Sequence, residues 1–242
     1  MTRPARLMAA SAAAMLSLGA ASSGEPQTQP ASGPGHHDHS HDATATHSFD
    51  DVGKWAGIFD DPSRAEWQKP ESIPGLLGLK PGMTVADIGA GTGYFERYFA
   101  TAVGAEGRVY AVDIEPKMVA YMQERARREK TPNVIPTLGA PDDPKLPAAS
   151  VDVVFICDTY HHLNDRTDYL RRLTGVLRPG GRVAVLDFHK RELPVGPPVE
   201  HKLSREEVLA EFAEAGWGAS GESDLLPYQY FLIFTPPPPA PR

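Results

Sequence analysis

Cysteine, basic charge and long apolar runs are all scarce in this chain of 242 residues. The one cysteine, Cys157, cannot form an internal disulfide, and the apolar residues that precede it from Val151 onward predict a packed strand position. Lys and Arg number 24 against 31 Asp and Glu, and the resulting net charge of -7 argues against a nucleic-acid partner. The apolar stretch from Leu7 to Ala21, about 15 residues, is shorter than the roughly 20 that a stable membrane span requires.

The first 23 residues have the pattern of a secretory signal peptide. Arg3 and Arg6 precede the apolar stretch, and the small residues Ala20, Ala21 and Ser22 follow it. We therefore predict that residues 1–23 are a signal peptide and that the protein is exported to the periplasm. The alternative is an alanine-rich leader on a cytoplasmic protein.

Residues 24–48 are rich in Pro, Gly, Ser, Thr and Gln and have few large apolar side chains, a composition that predicts a disordered linker. Between His36 and His47 the linker combines imidazoles with carboxylates, which are ligands for zinc, copper or nickel. We expect this His tract to bind metal only weakly, because a disordered chain has to be ordered before it can bind. No metal is expected at the catalytic site.

Two further segments flank the domain predicted for residues 73–235. Residues 49–72 mix Trp55, Phe59 and Trp67 with acidic residues and a helix start near Asp61, and they predict a helical N-terminal extension that packs on the domain. This extension either closes over a ligand site or only covers apolar surface. Residues 236–242 are proline-rich and predict a disordered tail.

A glycine-rich stretch begins the domain's alternating pattern of strands and helices. The apolar run of Val85, Ala86 and Ile88 predicts a buried strand, and glycines at 89, 91 and 93 predict a tight turn into a helix near Tyr94. Tyr94 stands where the dinucleotide pattern G-x-G-x-x-G needs its last glycine, which disfavours a nicotinamide oxidoreductase. Asp87, just before the turn, favours a cation over a phosphate.

The segment Val85-Ala-Asp-Ile-Gly-Ala-Gly-Thr-Gly93 resembles the first motif of class I S-adenosylmethionine-dependent methyltransferases. Three later segments are each similar to a successive motif of that family: Val112-Asp-Ile-Glu-Pro-Lys-Met118, the residues from Leu146 to Val154, and Leu177-Arg-Pro-Gly-Gly-Arg-Val-Ala-Val-Leu-Asp187. The sequence of residues 49–71 resembles the N-terminal segment of predicted exported bacterial methyltransferases. The resemblance implies S-adenosyl-L-methionine as cofactor and methyl transfer to a small-molecule acceptor.

The order of strands and helices predicts an α/β fold. Five strands are expected near residues 85–88, 108–113, 134–138, 151–157 and 182–187, with helices between them. Two more, about 217–223 and 228–234, lie too close together for a helical crossover and predict an antiparallel hairpin. Together with the family resemblance, this implies a Rossmann-like, seven-stranded, mostly parallel sheet with helices on both faces and a C-terminal antiparallel hairpin.

Ligands of open α/β sheets bind beyond the carboxyl ends of the strands, so the residues just after each strand are the candidates for binding. The resemblance implies that Asp113 binds the ribose hydroxyls and that an acidic residue after the third strand meets the adenine amino group, for which we favour Asp142 over Asp143. The full set of expected cofactor-binding residues is Asp87, Gly89, Ala90, Gly91, Thr92, Gly93, Asp113, Ile114, Asp142 and Asp158.

The fourth strand ends in Asp158-Thr-Tyr-His-His-Leu163, beside the expected position of the transferable methyl group. Methyl transfer requires alignment of the nucleophile and, for some acceptors, removal of its proton. Tyr160, His161 and His162 are the catalytic candidates, with His189 as a weaker one, because imidazoles act as bases near neutral pH. Two non-catalytic alternatives are an exported nucleoside-binding protein that retains the fold and a metal-binding envelope protein.

Overall fold

The computed structural model describes residues 51–238 of the chain, so the predicted signal peptide, the whole His-rich linker, the first two residues of the predicted extension and the last four residues of the tail lie outside the described residues. The helices are α1 Val52–Phe59, α2 Arg64–Gln68, α3 Ile73–Leu76, α4 Glu96–Val103, α5 Pro116–Glu129, α6 Arg166–Val176 and α7 Arg205–Glu214. The strands are β1 Thr84–Ile88, β2 Arg108–Asp113, β3 Val134–Leu138, β4 Val151–Cys157, β5 Leu177–Phe188, β6 Gly218–Ser223 and β7 Gln229–Thr235.

The strands form one seven-stranded sheet in the order β3-β2-β1-β4-β5-β7-β6. Strands β1 to β5 are parallel, and β7 is antiparallel to both β5 and β6, which confirms the predicted mixed sheet and its C-terminal hairpin. Pro136 is tolerated inside β3 because β3 is an edge strand, where one side of the backbone needs no partner.

Two predicted boundaries were wrong by a few residues. Helix α4 begins at Glu96 rather than near Tyr94, because the turn continues past Gly93, whose φ of 78° lies outside the helical region. Strand β5 begins at Leu177, which pairs with Val151, rather than near residue 182, and its register with β4 is irregular between these two positions. Residues 160–162 form a short 3-10 turn, and α6 begins after it, at Arg166.

Apolar side chains alternate between the two faces of the sheet, and each face has its own core. Ile156, Val185 and Leu232 point to the face covered by α6 and α7. Phe155 and Leu186 point to the opposite face, with side chains from α3, α4 and α5. Because both faces are covered, the carboxyl ends of β1, β2, β4 and β5 are left as the edge where a ligand can enter.

Helices α1 and α2 lie in the predicted N-terminal extension. Asp51 caps α1 by accepting a hydrogen bond from the Lys54 backbone N–H at 3.0 Å. Helix α2 ends at Gln68, whose side chain is fully buried. None of the helices within residues 51–238 combines the length and apolar character that a bilayer crossing requires.

Candidate active site

The turn after β1 is built on glycines in the left-handed region. The φ values of Gly89, Gly91 and Gly93 are 74°, 57° and 78°, and the backbone N–H groups of Gly89 and Ala90 both donate to the Val112 carbonyl, at 2.8 and 2.9 Å. A Cβ added at Gly89 would lie 2.3 Å from the Thr159 side chain. The loop therefore requires glycine for its conformation and also for the close approach of the segment after β4.

Asp113, at the end of β2, is tied to this loop. Its Oδ2 accepts a hydrogen bond from the Gly91 N–H at 2.8 Å, and its Oδ1 accepts one from the Glu115 N–H at 2.9 Å. Burial raises the pKa of its carboxyl group, although the backbone hydrogen bonds oppose that shift. Next to it, the apolar side chain of Ile114 is 42% exposed. A carboxylate beside an exposed apolar side chain suits a ribose with an attached base.

The two aspartates expected near the adenine occupy different surroundings. Asp143 is held by Lys145, whose N–H and Nζ both donate to its carboxylate at 2.8 Å. The carboxylate of Asp142 is largely exposed and lies 3.5 Å from the guanidinium of Arg172. Because a surface ion pair at this distance is weak, Asp142 is the more available of the two carboxylates for a ligand.

Asp87, in β1 beneath the loop, is buried. Burial raises its pKa well above the ordinary value, and the nearby carboxyl group of Glu96 at the start of α4 raises it further. The structure thus places Asp87 below the glycine loop rather than on its open surface.

Asp158 directly follows β4 and has a left-handed backbone conformation with a φ of 52°. Its Oδ1 accepts a hydrogen bond from Gln229 Nε2 at 2.6 Å and its Oδ2 accepts one from Gln68 Nε2 at 3.2 Å, while Arg64 approaches to 3.8 Å. Burial, followed by the charge of Asp187, raises the pKa of Asp158 to about 6. Two distant segments of the chain, α2 and the start of β7, therefore hold one strained acidic residue at the open edge of the sheet.

His161 forms a pair with a residue that the sequence analysis did not select. Its Nδ1 lies 2.8 Å from Oδ2 of Asp187 at the end of β5, and both side chains are buried. Burial alone would lower the pKa of His161. The charge and hydrogen bond of Asp187, with the charge of Asp158, outweigh that effect and raise it. The second oxygen of Asp187 accepts a hydrogen bond from the Phe188 N–H at 2.8 Å.

The other catalytic candidates lie in different environments. Tyr160 is fully buried among the residues of α6 and α7, and its hydroxyl donates to Glu211 at 2.9 Å, a placement that indicates a structural role. The ring of His162 lies 4.1 Å from that of His161 and is partly exposed. His189 packs edge-on against Tyr230, and its pKa is lowered by burial and by Arg191.

The N-terminal extension contacts the glycine loop directly. Asp60, just after α1, accepts a hydrogen bond from the Thr92 hydroxyl at 3.0 Å and one from Arg125 at 2.7 Å. The same guanidinium nitrogen donates to the Thr92 carbonyl at 3.0 Å, and the Phe59 ring lies beside Gly91. Among residues 51–238, no group of three or more His, Cys, Asp or Glu side chains has an arrangement suited to a metal ion.

Several residues of the site were missed from the sequence. Glu96 could have been found from its spacing: it precedes Phe99, Ala100 and Val103 by three, four and seven residues, so it lies on the apolar face of α4. Asp187 could have been found as the acidic residue near the end of β5.

Gln68 and Gln229 could not have been found from the sequence, because they contact Asp158 across 90 and 71 residues of the chain.

Comparisons with known proteins identify the family. A methyltransferase domain family model matches residues 86–185. The chain is 30% identical to a 27-O-demethylrifamycin SV methyltransferase from Amycolatopsis mediterranei in an alignment of 189 positions that covers 71% of this chain and 69% of that protein.

The chain belongs to the class I S-adenosylmethionine-dependent methyltransferases. A crystal structure of a SAM-dependent methyltransferase from Aquifex aeolicus matches 78% of this chain and 98% of its own, with 32% identity and a TM-score of 0.73. A ubiquinone/menaquinone biosynthesis C-methyltransferase from Ectopseudomonas mendocina is 36% identical, over 50% of this chain and 47% of that protein.

S-adenosylmethionine is the cofactor of this methyltransferase. The residues present fit that group. Gly89, Gly91 and Gly93 contribute no side chains of their own to the loop, and the carboxylate of Asp113 and the exposed side chain of Ile114 suit a nucleoside.

Proposed function

We propose that this methyltransferase transfers a methyl group to a hydroxyl group of a small-molecule acceptor, with His161 as the general base. The observation that carries the proposal is the 2.8 Å contact between His161 and Asp187 at the open edge of the sheet. A hydroxyl becomes a good nucleophile only when its proton is removed, and a buried imidazole oriented by a carboxylate is suited to that task.

The residues of the glycine loop and Asp113 would hold the cofactor, which supplies an electrophilic methyl group on a positively charged sulfur. Asp158 lies between the loop and the His161–Asp187 pair, since Thr159 touches Gly89 and the backbone N–H of Asp158 donates to Leu186 of β5 at 2.9 Å. This location favours contact between Asp158 and either the cofactor or the acceptor.

The tautomer of His161 follows from its partner. A carboxylate at 2.8 Å from Nδ1 favours a proton on that nitrogen, which leaves the lone pair of Nε2 to receive the proton of the acceptor. Asp187 then stabilises the positive charge that the imidazole gains, as in other His–Asp pairs.

Three aromatic side chains, those of Trp67, Phe188 and Tyr228, pack together where β5 ends. Trp67, from α2, lies 5.8 Å from the ring of Phe188 and 6.1 Å from that of Tyr228. Both Trp67 and Tyr228 are partly exposed. These rings favour an acceptor with an aromatic or otherwise apolar body. The name of the rifamycin relative supports a hydroxyl acceptor.

The test combines binding with turnover on the full chain. We expect calorimetry to show micromolar binding of S-adenosylmethionine, and a panel of phenols and alcohols to include a substrate detected by S-adenosylhomocysteine release. His161→Gln should keep the binding and lower kcat by roughly 100- to 10,000-fold, whereas His162→Gln, its neighbour, should change kcat far less. Equal losses in the two variants, or turnover that survives in His161→Gln, would contradict the assigned base.

A further inference from the structure

Asp87 and Glu96, which we call the acid pair, face each other under the glycine loop. Their exposed fractions are 3% and 4%, and the two carboxyl groups are close enough to interact directly. Both oxygens of Glu96 are buried, and among the side chains of residues 51–238 only the carboxyl group of Asp87 is placed to hydrogen-bond with them. A Cβ at Gly93 would lie 3.2 Å from Oε2 of Glu96, so the pair is directly beneath the loop that holds the cofactor.

Two carboxyl groups can share a hydrogen bond only if one of them is protonated. Ionising both would leave two buried like charges without donors, which is strongly unfavourable. Burial raises the pKa of Glu96 to about 7 and raises that of Asp87 well above its ordinary range. The acid pair therefore exchanges a proton with solvent near neutral pH, as a coupled unit.

Other charged groups reach the pair from α2, β2 and α5. The cations Arg64 and Arg125 favour ionisation of the pair, and the anions Asp113 and Glu129 oppose it. Arg125, the cation on α5, is itself neutralised by Asp60 at 2.7 Å and by Glu129 at 2.8 Å. The charge of the acid pair is thus not balanced by a dedicated counter-ion. This negative charge would attract a cationic ligand bound on the loop.

We infer that the acid pair makes the site discriminate between S-adenosylmethionine and the S-adenosylhomocysteine formed from it. The two molecules share the nucleoside, the amino group and the carboxylate, and they differ by the methyl group and the positive charge of the sulfonium. An added negative charge beneath the loop therefore favours the cofactor over the product, whatever its effect on their shared groups. This arrangement favours product release, and it rests on the cofactor and not on the identity of the acceptor.

The sign of the pH dependence follows from linkage. The pair gains negative charge as pH rises, so the ratio of the Kd for S-adenosylhomocysteine to the Kd for S-adenosylmethionine should rise with pH. By the same reciprocity, binding of the cofactor lowers the pKa of the pair and releases protons, and binding of the product releases fewer.

The experiment is calorimetric titration of both ligands into the full chain between about pH 6 and pH 8.5, in two buffers that differ in ionisation enthalpy. We expect the Kd ratio to rise by on the order of 10-fold across this range in the wild-type protein. Glu96→Gln has nearly the same shape and should remove most of the rise and of the proton release. Glu124→Gln, an exposed α5 residue paired with Arg127, is the matched control and should behave as wild type.

Titration of the ligands themselves, of Asp158 and of His161 is common to all three proteins, so the comparison isolates the acid pair. A Kd ratio that does not change with pH in the wild-type protein would overturn the inference. A rise of the same size in Glu96→Gln would also overturn it, while leaving the proposed function intact. Failure of both ligands to bind a folded protein would reject the inference and the proposed function together.

Discussion

Nδ1 of His161 lies 2.8 Å from Oδ2 of Asp187, and this contact joins the turn after β4 to the end of β5. Both side chains are buried, with exposed fractions of 8% and 0%. The carboxylate fixes the orientation of the imidazole and raises its pKa above the ordinary value in spite of burial. In the proposed mechanism the base must be unprotonated to act, so this pair would set the pH at which the enzyme becomes active.

Asp187→Asn should lower the rate and shift its pH dependence. In the wild-type protein, kcat/KM should rise with pH as His161 loses its proton, at a pKa that Asp187 raises above the ordinary value of an imidazole. Without the charge of Asp187, burial lowers that pKa, so the rise should move to lower pH. The asparagine amide can also donate to Nδ1 and place the proton on Nε2, so the plateau should fall by roughly 10- to 1,000-fold.

The pH profile is measured with saturating cofactor and the best acceptor from the panel. Asp168→Asn is the control, since this α6 carboxylate is exposed and paired with Arg171. An unchanged midpoint in Asp187→Asn, with a lower plateau, would show that a different group titrates.

Tyr160→Phe should affect stability and leave catalysis nearly unchanged. The change removes one hydrogen bond to Glu211, which keeps both of its bonds to Arg166, each 2.7 Å long. We expect a loss of about 1 kcal/mol in the free energy of unfolding, the usual value for a single hydrogen bond. Urea denaturation and kcat are the measurements. A kcat reduced tenfold or more, with little change in stability, would show that Tyr160 takes part in catalysis.

Asp60→Ala should weaken cofactor binding even though the residue lies outside the glycine loop. The substitution removes the bonds from Asp60 to Thr92 and Arg125 and frees one end of the extension from the loop. We expect the Kd for S-adenosylmethionine to rise by about 5- to 50-fold, the equivalent of 1–2 kcal/mol for lost hydrogen bonds to charged groups. The adjacent Asp61→Ala is the control, because the Asp61 side chain accepts its hydrogen bonds from the nearby Ser63 and not from the loop. Equal affinities in both variants would mean that the extension only covers the domain.

Gly89→Ala should disrupt both folding and cofactor binding. The new Cβ would meet Thr159 at 2.3 Å, on a backbone whose φ is 74°. We expect a loss of about 2–4 kcal/mol in the free energy of unfolding from strain and overpacking. Gly175→Ala in α6 has open space around its Cβ and should stabilise the protein by about 0.5–1 kcal/mol. In thermal unfolding, we expect the Tm of Gly89→Ala to fall below that of the wild-type protein and the Tm of Gly175→Ala to rise above it.

The sheet and the glycine turn could be predicted from the sequence because their signals are local. Buried parallel strands read as short apolar runs, and the turn after β1 carries three glycines whose conformations require that residue. The division of roles among Tyr160, His161 and His162 could not be predicted. These residues form a 3-10 turn, in which successive side chains point about 120° apart, so adjacent positions face different parts of the fold.

The contacts of Asp158 show a second limit. Gln68 and Gln229 are uncharged and have no characteristic spacing, and only the folded chain brings them to the same carboxylate. Likewise, a buried glutamate such as Glu96 can be found from its place on an apolar helix face, but its partner in β1 depends on how α4 packs on the sheet.

The hydrogen bonds from Gln68 and Gln229 to Asp158 also have an evolutionary consequence. A substitution at any one of the three positions leaves polar atoms of the others without partners, so we expect selection against a change at one position alone. We expect the three positions to change together among relatives that carry the extension. In chimaeric enzymes, the extension and the C-terminal hairpin should therefore be exchanged as a matched set from the same parent.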